Sequence, residues 1–272
     1  MKKCLVRFVV GLVVGLSCLG GARVALADML ITPTMVVFEG RDRFATVTIV
    51  NTGDKVKAYE FGWEFFDMKE EDGTYTLQDK PATDFDLSQH IVFAPRRVTL
   101  LPGAKQRVRM ALRRSAEIPD GDYHVHFKFS SAPNDLSVDK TLNGRVAMGV
   151  NIAVSYAIPV VFRVGEVQVK ADIGEISLSR DARSGFINVA VPVVRVEGNY
   201  SVLGYLRIFH VVDGQEELVG ELSNANIFSE INSRVFDVHL TKEITGGALK
   251  VVLRYYDKKN DFIYDERVFD VE

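Results

Sequence analysis

Cysteine is almost absent from this chain, and both of its cysteines, Cys4 and Cys18, sit within the first eighteen residues. Downstream of them no disulfide framework, thiol nucleophile or thiolate metal site can be built. Helical periodicity is equally scarce: almost no stretch spaces its apolar residues three and four apart. After Leu19 no apolar run is long and unpatterned enough to cross a bilayer, so no stable membrane insertion is expected. Basic residues are in deficit. The first 27 residues hold four of the 33 (Lys2, Lys3, Arg7, Arg23) and none of the 36 acids, which leaves the rest with a formal charge of −7. That balance argues against general nucleic-acid binding. No Gly-x-Ser-x-Gly elbow, phosphate-cradling loop or dinucleotide fingerprint follows residue 27. The expectation is therefore a non-enzyme with no cofactor and no metal. His124 and His126 share one strand face, but two ligands without a third make no zinc site. They read as part of a solvated face.

The start of the chain has the layout of a secretory signal. Lys2 and Lys3 precede an apolar core from Leu5 to Leu19, and Ala25-Leu26-Ala27 has the small-x-small form of a cleavage site. Removal of residues 1–27 would leave 245 of the 272. A rival site, Leu16-Ser17-Cys18, has the outline of a lipoprotein signal, although Gly15 stands where leucine is usual.

The remainder reads as strands and turns at roughly 8–12-residue spacing, the mark of an all-β sandwich or barrel. Met29–Phe38 is a first strand broken at Pro33. Ala45, Val47 and Ile49 share a face of a second, which ends at the turn Asn51-Thr52-Gly53-Asp54. Tyr59, Phe61, Trp63 and Phe65 share a face of a third, and Trp63, the lone tryptophan, is expected between two sheets. Residues 79–89 read as an irregular loop. Pro102-Gly103 is a turn, after which Gln106, Val108, Met110 and Leu112 face one way. Tyr123, two residues past Gly121 at a strand start, fits a tyrosine corner. Seven further strands are expected between Gly174 and Val271, enough for a second sandwich.

The stretch from Arg145 to Val164 stands apart. Val146, Met148, Val150, Ile152, Val154, Tyr156, Ile158, Val160, Phe162 and Val164 alternate with mostly small or polar residues. This is strand periodicity, and over twenty residues it would extend roughly 65 Å. Strands commonly run only about 5–6 residues. Two readings stand: a core strand that continues into a linker, or an exposed edge strand that lends side chains to another protein.

Several motifs then form a series. Val37-Phe38-Glu39-Gly40 is followed by the valine-rich strand ending at Asn51 and by the aromatic strand with Trp63. Next come Phe93-x-Pro95-x-x-Val98-x-Leu100-x-Pro102-Gly103-x-x-Gln106-x-Val108-Arg109 and the long alternating strand. Over residues 29–164 this resembles the periplasmic pilus-assembly chaperones, the PapD-like family. The resemblance implies two immunoglobulin-like β-sandwiches in tandem, here residues 28–164 and 165–272, and a soluble periplasmic protein. It implies donor-strand complementation, in which an edge strand enters the open groove of a pilus or fimbrial subunit before delivery to an outer-membrane usher. Subunit-binding residues would be Val146, Met148, Val150, Ile152 and Val154, with Tyr156 to Phe162 packing within the chaperone. A bare edge of this kind also fits a self-capping homodimer. The family's basic pair, which captures the subunit's terminal carboxylate, falls on Met35 and Ala157, and neither is basic. Arg163, Arg96 and Arg97 are candidate substitutes. The competing reading is an immunoglobulin-like surface or periplasmic adhesion module without chaperone activity.

Overall fold

The computed structural model describes residues 29–69, 73–81, 83, 85–114, 118–131, 154–180, 186–244, 246–256 and 262–271. Its first part contains β1 (Met29–Thr32), β2 (Val36–Phe38), β3 (Phe44–Asn51), β4 (Lys57–Met68), β5 (Tyr75–Gln78), a single helical turn α1 (Leu87–His90), β6 (Ile91–Ala94), β7 (Arg97–Leu100), β8 (Lys105–Leu112), β9 (Gly121–Ser131) and β10 (Ser155–Val164). Then follow β11 (Lys170–Ile173), β12 (Ser177–Arg180), β13 (Ile187–Glu197), β14 (Gly204–Val212), β15 (Gln215–Leu222), β16 (Ser233–His239), β17 (Ala248–Tyr255) and β18 (Ile263–Asp270). The chain is two all-β sandwich domains in tandem.

The first sandwich faces the sheet β1-β3-β8-β6 with the sheet β2-β10-β9-β4-β5, where β7 also pairs with β4. The expected first strand, Met29–Phe38, serves both sheets. Up to Thr32 it runs antiparallel to β3, with Met29 opposite Asn51. Beyond Pro33, which has no N–H to continue the ladder, Val36–Phe38 runs parallel to Val160–Phe162 of β10. The stretch read as an irregular loop closes in α1, where Asp86 accepts the Ser88 N–H at 2.9 Å as an N-cap.

Alternation decides which side chains meet between these sheets. Val47, Ile49, Val108 and Met110 from one sheet, and Phe127, Phe129 and Val160 from the other, are fully buried. Trp63 lies edge-on between Phe93 (5.4 Å) and Phe127 (5.0 Å), one ring from each sheet. The Tyr123 hydroxyl donates to the Pro119 carbonyl at 3.0 Å, the tyrosine corner expected from its place after Gly121. Asn51 is buried as well as being the end of a strand. Its amide donates to the carbonyls of Lys55 (2.7 Å) and Leu100 (3.0 Å), and its Oδ1 accepts from the Gly53 N–H (3.1 Å). That satisfies a group whose burial would otherwise be costly.

In the second sandwich β13 is flanked by β11, β12 and β16, and it faces the sheet β15-β14-β17-β18. Val189, Val191 and Val193 pack against Leu206, Ile208, Val251 and Leu253. The sequence gives no clear signal for β11: only Ala171 and Ile173 alternate inward, and a bulge interrupts the pairing. This second core also takes in Met35, Met68 and Val161 from the first domain. The outer face of the sheet containing β10 is thus the floor on which the second domain sits.

Candidate functional site: the open edge of β10 and the groove at the domain junction

One strand changes environment along its length. Phe162, Val160 and Ile158 point into the first core and are buried. Tyr156 and Val154 continue the same face but leave the sandwich, with 37% and 44% of their surface exposed. Tyr156 was expected inside. It lies opposite the buried Phe129, but one step further along the strand the sandwich ends, beside Ser130 and Ser131, so its ring is left partly uncovered. Of the five expected subunit-binding residues, Val154 is the one within the described residues. Val146, Met148, Val150 and Ile152 lie outside them.

The backbone of this segment is open on one side. The Ser131 N–H donates to the Val154 carbonyl at 3.1 Å, and Ser155 lies opposite Ser130. Antiparallel pairs alternate between bonded and non-bonded types. Tyr156 and Ile158 therefore bond to β9, while Ser155, Ala157 and Pro159 turn their backbone groups outward. Parallel β2 covers that edge from Val160 onward. Among the described residues no strand pairs with Ser155–Pro159 on the outward side. Pro159 fits because the N–H it lacks would have pointed to the open side.

A groove of about 550 Å³ straddles this edge. Met29, Leu30 and Ile31 of β1 line it with Tyr156 and Ile158 on the core side; Phe66, Tyr75 and His126 line it with Pro159 on the outer side. Thr34, Asn224 and Asn226 close it, where the Asn224 amide donates to Thr34 Oγ1 at 3.1 Å and Asn226 Oδ1 accepts from the Gly204 N–H at 3.2 Å.

Both histidines lie at the junction. They were expected on a solvated face, but the second domain covers that face. His124 Nε2 is 3.2 Å from Glu230 Oε2, and its ring stacks on Phe228 at 4.3 Å. Glu230 Oε1 accepts from the Met68 N–H at 3.0 Å. Burial opposes the charge on Glu230, yet the contacts from His124 and Met68 hold its carboxyl below the usual range. His126 is 3% exposed; burial, and next the neighbouring His124, push its pKa down to about 3. Among the described residues no three His, Asp or Glu side chains are grouped to hold a metal ion, and no helix is long and apolar enough to cross a membrane.

The three candidate arginines are not together. Arg163 is 2% exposed. Its Nε lies 3.2 Å from Asp122 Oδ1, Nη1 donates to the Tyr255 hydroxyl at 3.3 Å, and Nη2 donates to the Ser201 carbonyl. Burial works against its charge, but Asp122, Tyr255, Tyr264 and Glu39 carry its pKa above the ordinary value. Arg97 is exposed and pairs with Glu60 at 2.8 Å, and Arg96 lies 4.5 Å over the Phe93 ring. Arg97 is opposite Glu60, which is opposite Ser130, while Arg163 is opposite Asp122. Eight residues of β9 separate the two places, roughly 26 Å. Ala157 lines the apolar groove, and Met35 is buried against the second core.

No family model and no curated protein sequence matches the chain. Solved structures do align along most of it. The Escherichia coli chaperone DraB aligns over 90% of this chain and 95% of its own, at 15% identity and a TM-score of 0.44. For the Pseudomonas aeruginosa CupB2 chaperone the coverages are 89% and 98%, at 13% identity and 0.40. A chain from the complex of Salmonella enterica SafA pilin with the SafB chaperone aligns over 92% and 98%, at 11% identity and 0.42.

Proposed function

We propose that this protein is a periplasmic chaperone of the PapD-like kind, which holds a pilus or fimbrial subunit by strand addition along β10. One observation supports the reading: β10 leaves its sandwich with apolar side chains exposed and, among the described residues, with no strand paired to the outward backbone of Ser155–Pro159. An edge of this kind is a template for another chain. Strand addition supplies backbone hydrogen bonds, and alternate side chains fill pockets in the partner. Val154 would be joined in this by Val146, Met148, Val150 and Ile152, which precede it at the same period. Each buried Val, Ile or Met contributes roughly 1.5–3 kcal/mol. Three or four together suffice to hold an incomplete sandwich without nucleotide. Residues 1–27 would direct export and be cleaved off in the process, and the client would pass to an outer-membrane usher.

Arg163 is already engaged by Asp122, Ser201 and Tyr255. Its role in this reading is to hold the domains in register at the end of β10 away from the open edge.

The test is co-expression with a pilus subunit that lacks its final strand, followed by co-purification from the periplasm. The unaltered chain should retain the subunit, Ile152→Asp and Val150→Asp should lose it, and Ala153→Asp should lose less. Retention by both Asp variants would show that this strand is not the contact. Failure of the unaltered chain to hold any such subunit would favour the adhesion-module reading.

A further inference from the structure

The outer face of the sheet β1-β3-β8-β6 carries a charge opposite to that of the chain as a whole. Its strands read Met-Leu-Ile-Thr, Phe-Ala-Thr-Val-Thr-Ile-Val-Asn, Ile-Val-Phe-Ala and Lys-Gln-Arg-Val-Arg-Met-Ala-Leu, and none contains Asp or Glu. Alternation along β8 sends Val108, Met110 and Leu112 into the core and leaves Lys105, Arg107 and Arg109 exposed outside. Arg113, exposed and of the same parity, continues the row, and its N–H donates to the His90 carbonyl at 2.8 Å. These cations follow one line roughly 26 Å long. Among the described residues none of them forms an ion pair. Thr48 lies opposite Arg107 and Thr46 opposite Arg109, which sets a hydroxyl beside each guanidinium. The next row is apolar: Phe44 is opposite Ala111, and Ala111 is opposite Val92. Phe44 is 79% exposed, and Val92 is exposed as well. The adjoining turn, Arg41-Asp42-Arg43, adds two bases and one acid. The second domain packs on the other sheet, through Met68 and Val161.

We propose that this face rests on an anionic phospholipid surface, as a peripheral contact and not a span. The inference stands apart from strand addition, because it uses the sheet that β10 does not belong to. A leaflet with anionic headgroups attracts basic side chains held near it. Guanidinium groups take lipid phosphates in bidentate fashion, and the threonine hydroxyls beside Arg107 and Arg109 can donate to the same oxygens. Phe44 and Val92, at the end of the basic row, reach the boundary between headgroups and acyl chains. An acidic protein would answer the cations alone. A lipid surface answers the cations and the apolar row together, and it needs no cleft to receive it.

The experiment sediments the purified protein with vesicles of phosphatidylcholine alone, and with vesicles of phosphatidylcholine and phosphatidylglycerol in equal parts. The protein should bind the second and not the first. Binding should weaken as salt is raised to about 1 M, where the screening length is about 3 Å. Arg107→Gln combined with Arg109→Gln should weaken it roughly tenfold or more, at about fivefold per charge. Phe44→Ser should remove the part of the binding that survives salt. Lys170→Gln combined with Lys242→Gln takes the same charge from exposed positions of the second domain and should leave binding nearly as it was. Thermal melting checks that each variant is folded; should the arginine variant not fold, Lys105→Gln takes its place. No binding to the phosphatidylglycerol vesicles, equal binding to both kinds, or binding untouched by the loss of these cations would each overturn the proposal. Capture of polyglutamate without the vesicles would make an acidic protein the partner and overturn it too. Self-association that Phe44→Ser abolishes would make a second copy the occupant, with the same consequence.

Discussion

Asp122 and Arg163 face each other at 3.2 Å on adjacent strands, each side chain about 1% exposed, and both reach across the domain junction to Ser201. Asp122 Oδ2 accepts the Ser201 N–H at 2.6 Å, and Arg163 donates to the carbonyl of the same residue. The Tyr255 hydroxyl, which accepts from Arg163, donates to Glu39 Oε2 at 2.7 Å. A buried ion pair in the first domain thus clamps one turn of the second. It lies at one end of β10, while the open edge lies at the other.

Breaking this pair from one side leaves a buried charge uncompensated. Arg163→Met and Asp122→Leu should each destabilise the protein by roughly 3–5 kcal/mol, and the double variant should recover much of the loss. Arg96→Ala and Arg97→Ala, at exposed positions, should each stay within about 0.5 kcal/mol. Urea unfolding of the five variants checks both statements.

His126 makes stability depend on pH. Its folded-state pKa is about 3, against about 6.5 for an unfolded histidine. Between those values the unfolded chain binds more protons, so stability falls as pH drops below about 6.5 and the full cost is reached near pH 3. That cost is on the order of 5 kcal/mol. Glu230, held below its ordinary value, acts with the same sign at lower pH: its contribution is present above the unfolded carboxylate range and is lost as pH falls through the folded pKa. His126→Phe should flatten the dependence between pH 6.5 and 4.5 relative to the unaltered protein. Urea midpoints across that range measure it.

Two neighbours on β10 should behave oppositely. Ile158→Asp buries a charge beside Phe127 and should unfold the first domain or cost several kcal/mol. Tyr156→Asp alters a side chain that is 37% exposed at the rim, so the fold should survive while binding of an added strand is lost. Thermal melting separates the first effect, and peptide titration the second.

Asn51→Ala should cost roughly 1–3 kcal/mol, because the Leu100 carbonyl then loses its donor inside the core. Asn51→Asp should cost more, since a carboxylate cannot donate to that carbonyl or to Lys55. Both can be read from chemical denaturation midpoints.

The β architecture was legible because strand alternation is a local property. The aromatic face of β4, the inward Val108, Met110 and Leu112 of β8 and the corner at Tyr123 each follow from neighbours a few residues away. Strand existence was legible; sheet membership was not. Nothing in Met29–Phe38 says that its two halves join opposite sheets, because that depends on where β3 and β10 lie in space. His124 and His126 were misread for the same reason: period 2 assigns two histidines to one face, but what covers that face is Glu230 and Phe228, about a hundred residues away.

By itself, the sequence determined that the chain is built of β-strands, that it has no cysteine after Cys18, and that the stretch ending at Val164 carries an unusually long alternating apolar row. Each of these rests on composition or on the two-residue repeat of a strand. Only the tertiary structure decided that Arg163 is internal, that a groove with no Asp, Glu, Lys or Arg among its described lining residues lies beside Ala157, and where β10 passes from core to open edge. Those facts depend on contacts between segments distant in sequence, such as Arg163 with Tyr255 and Asn226 with Met35. Such contacts arise from the docking of two folded domains, for which local side-chain periodicity holds no signal.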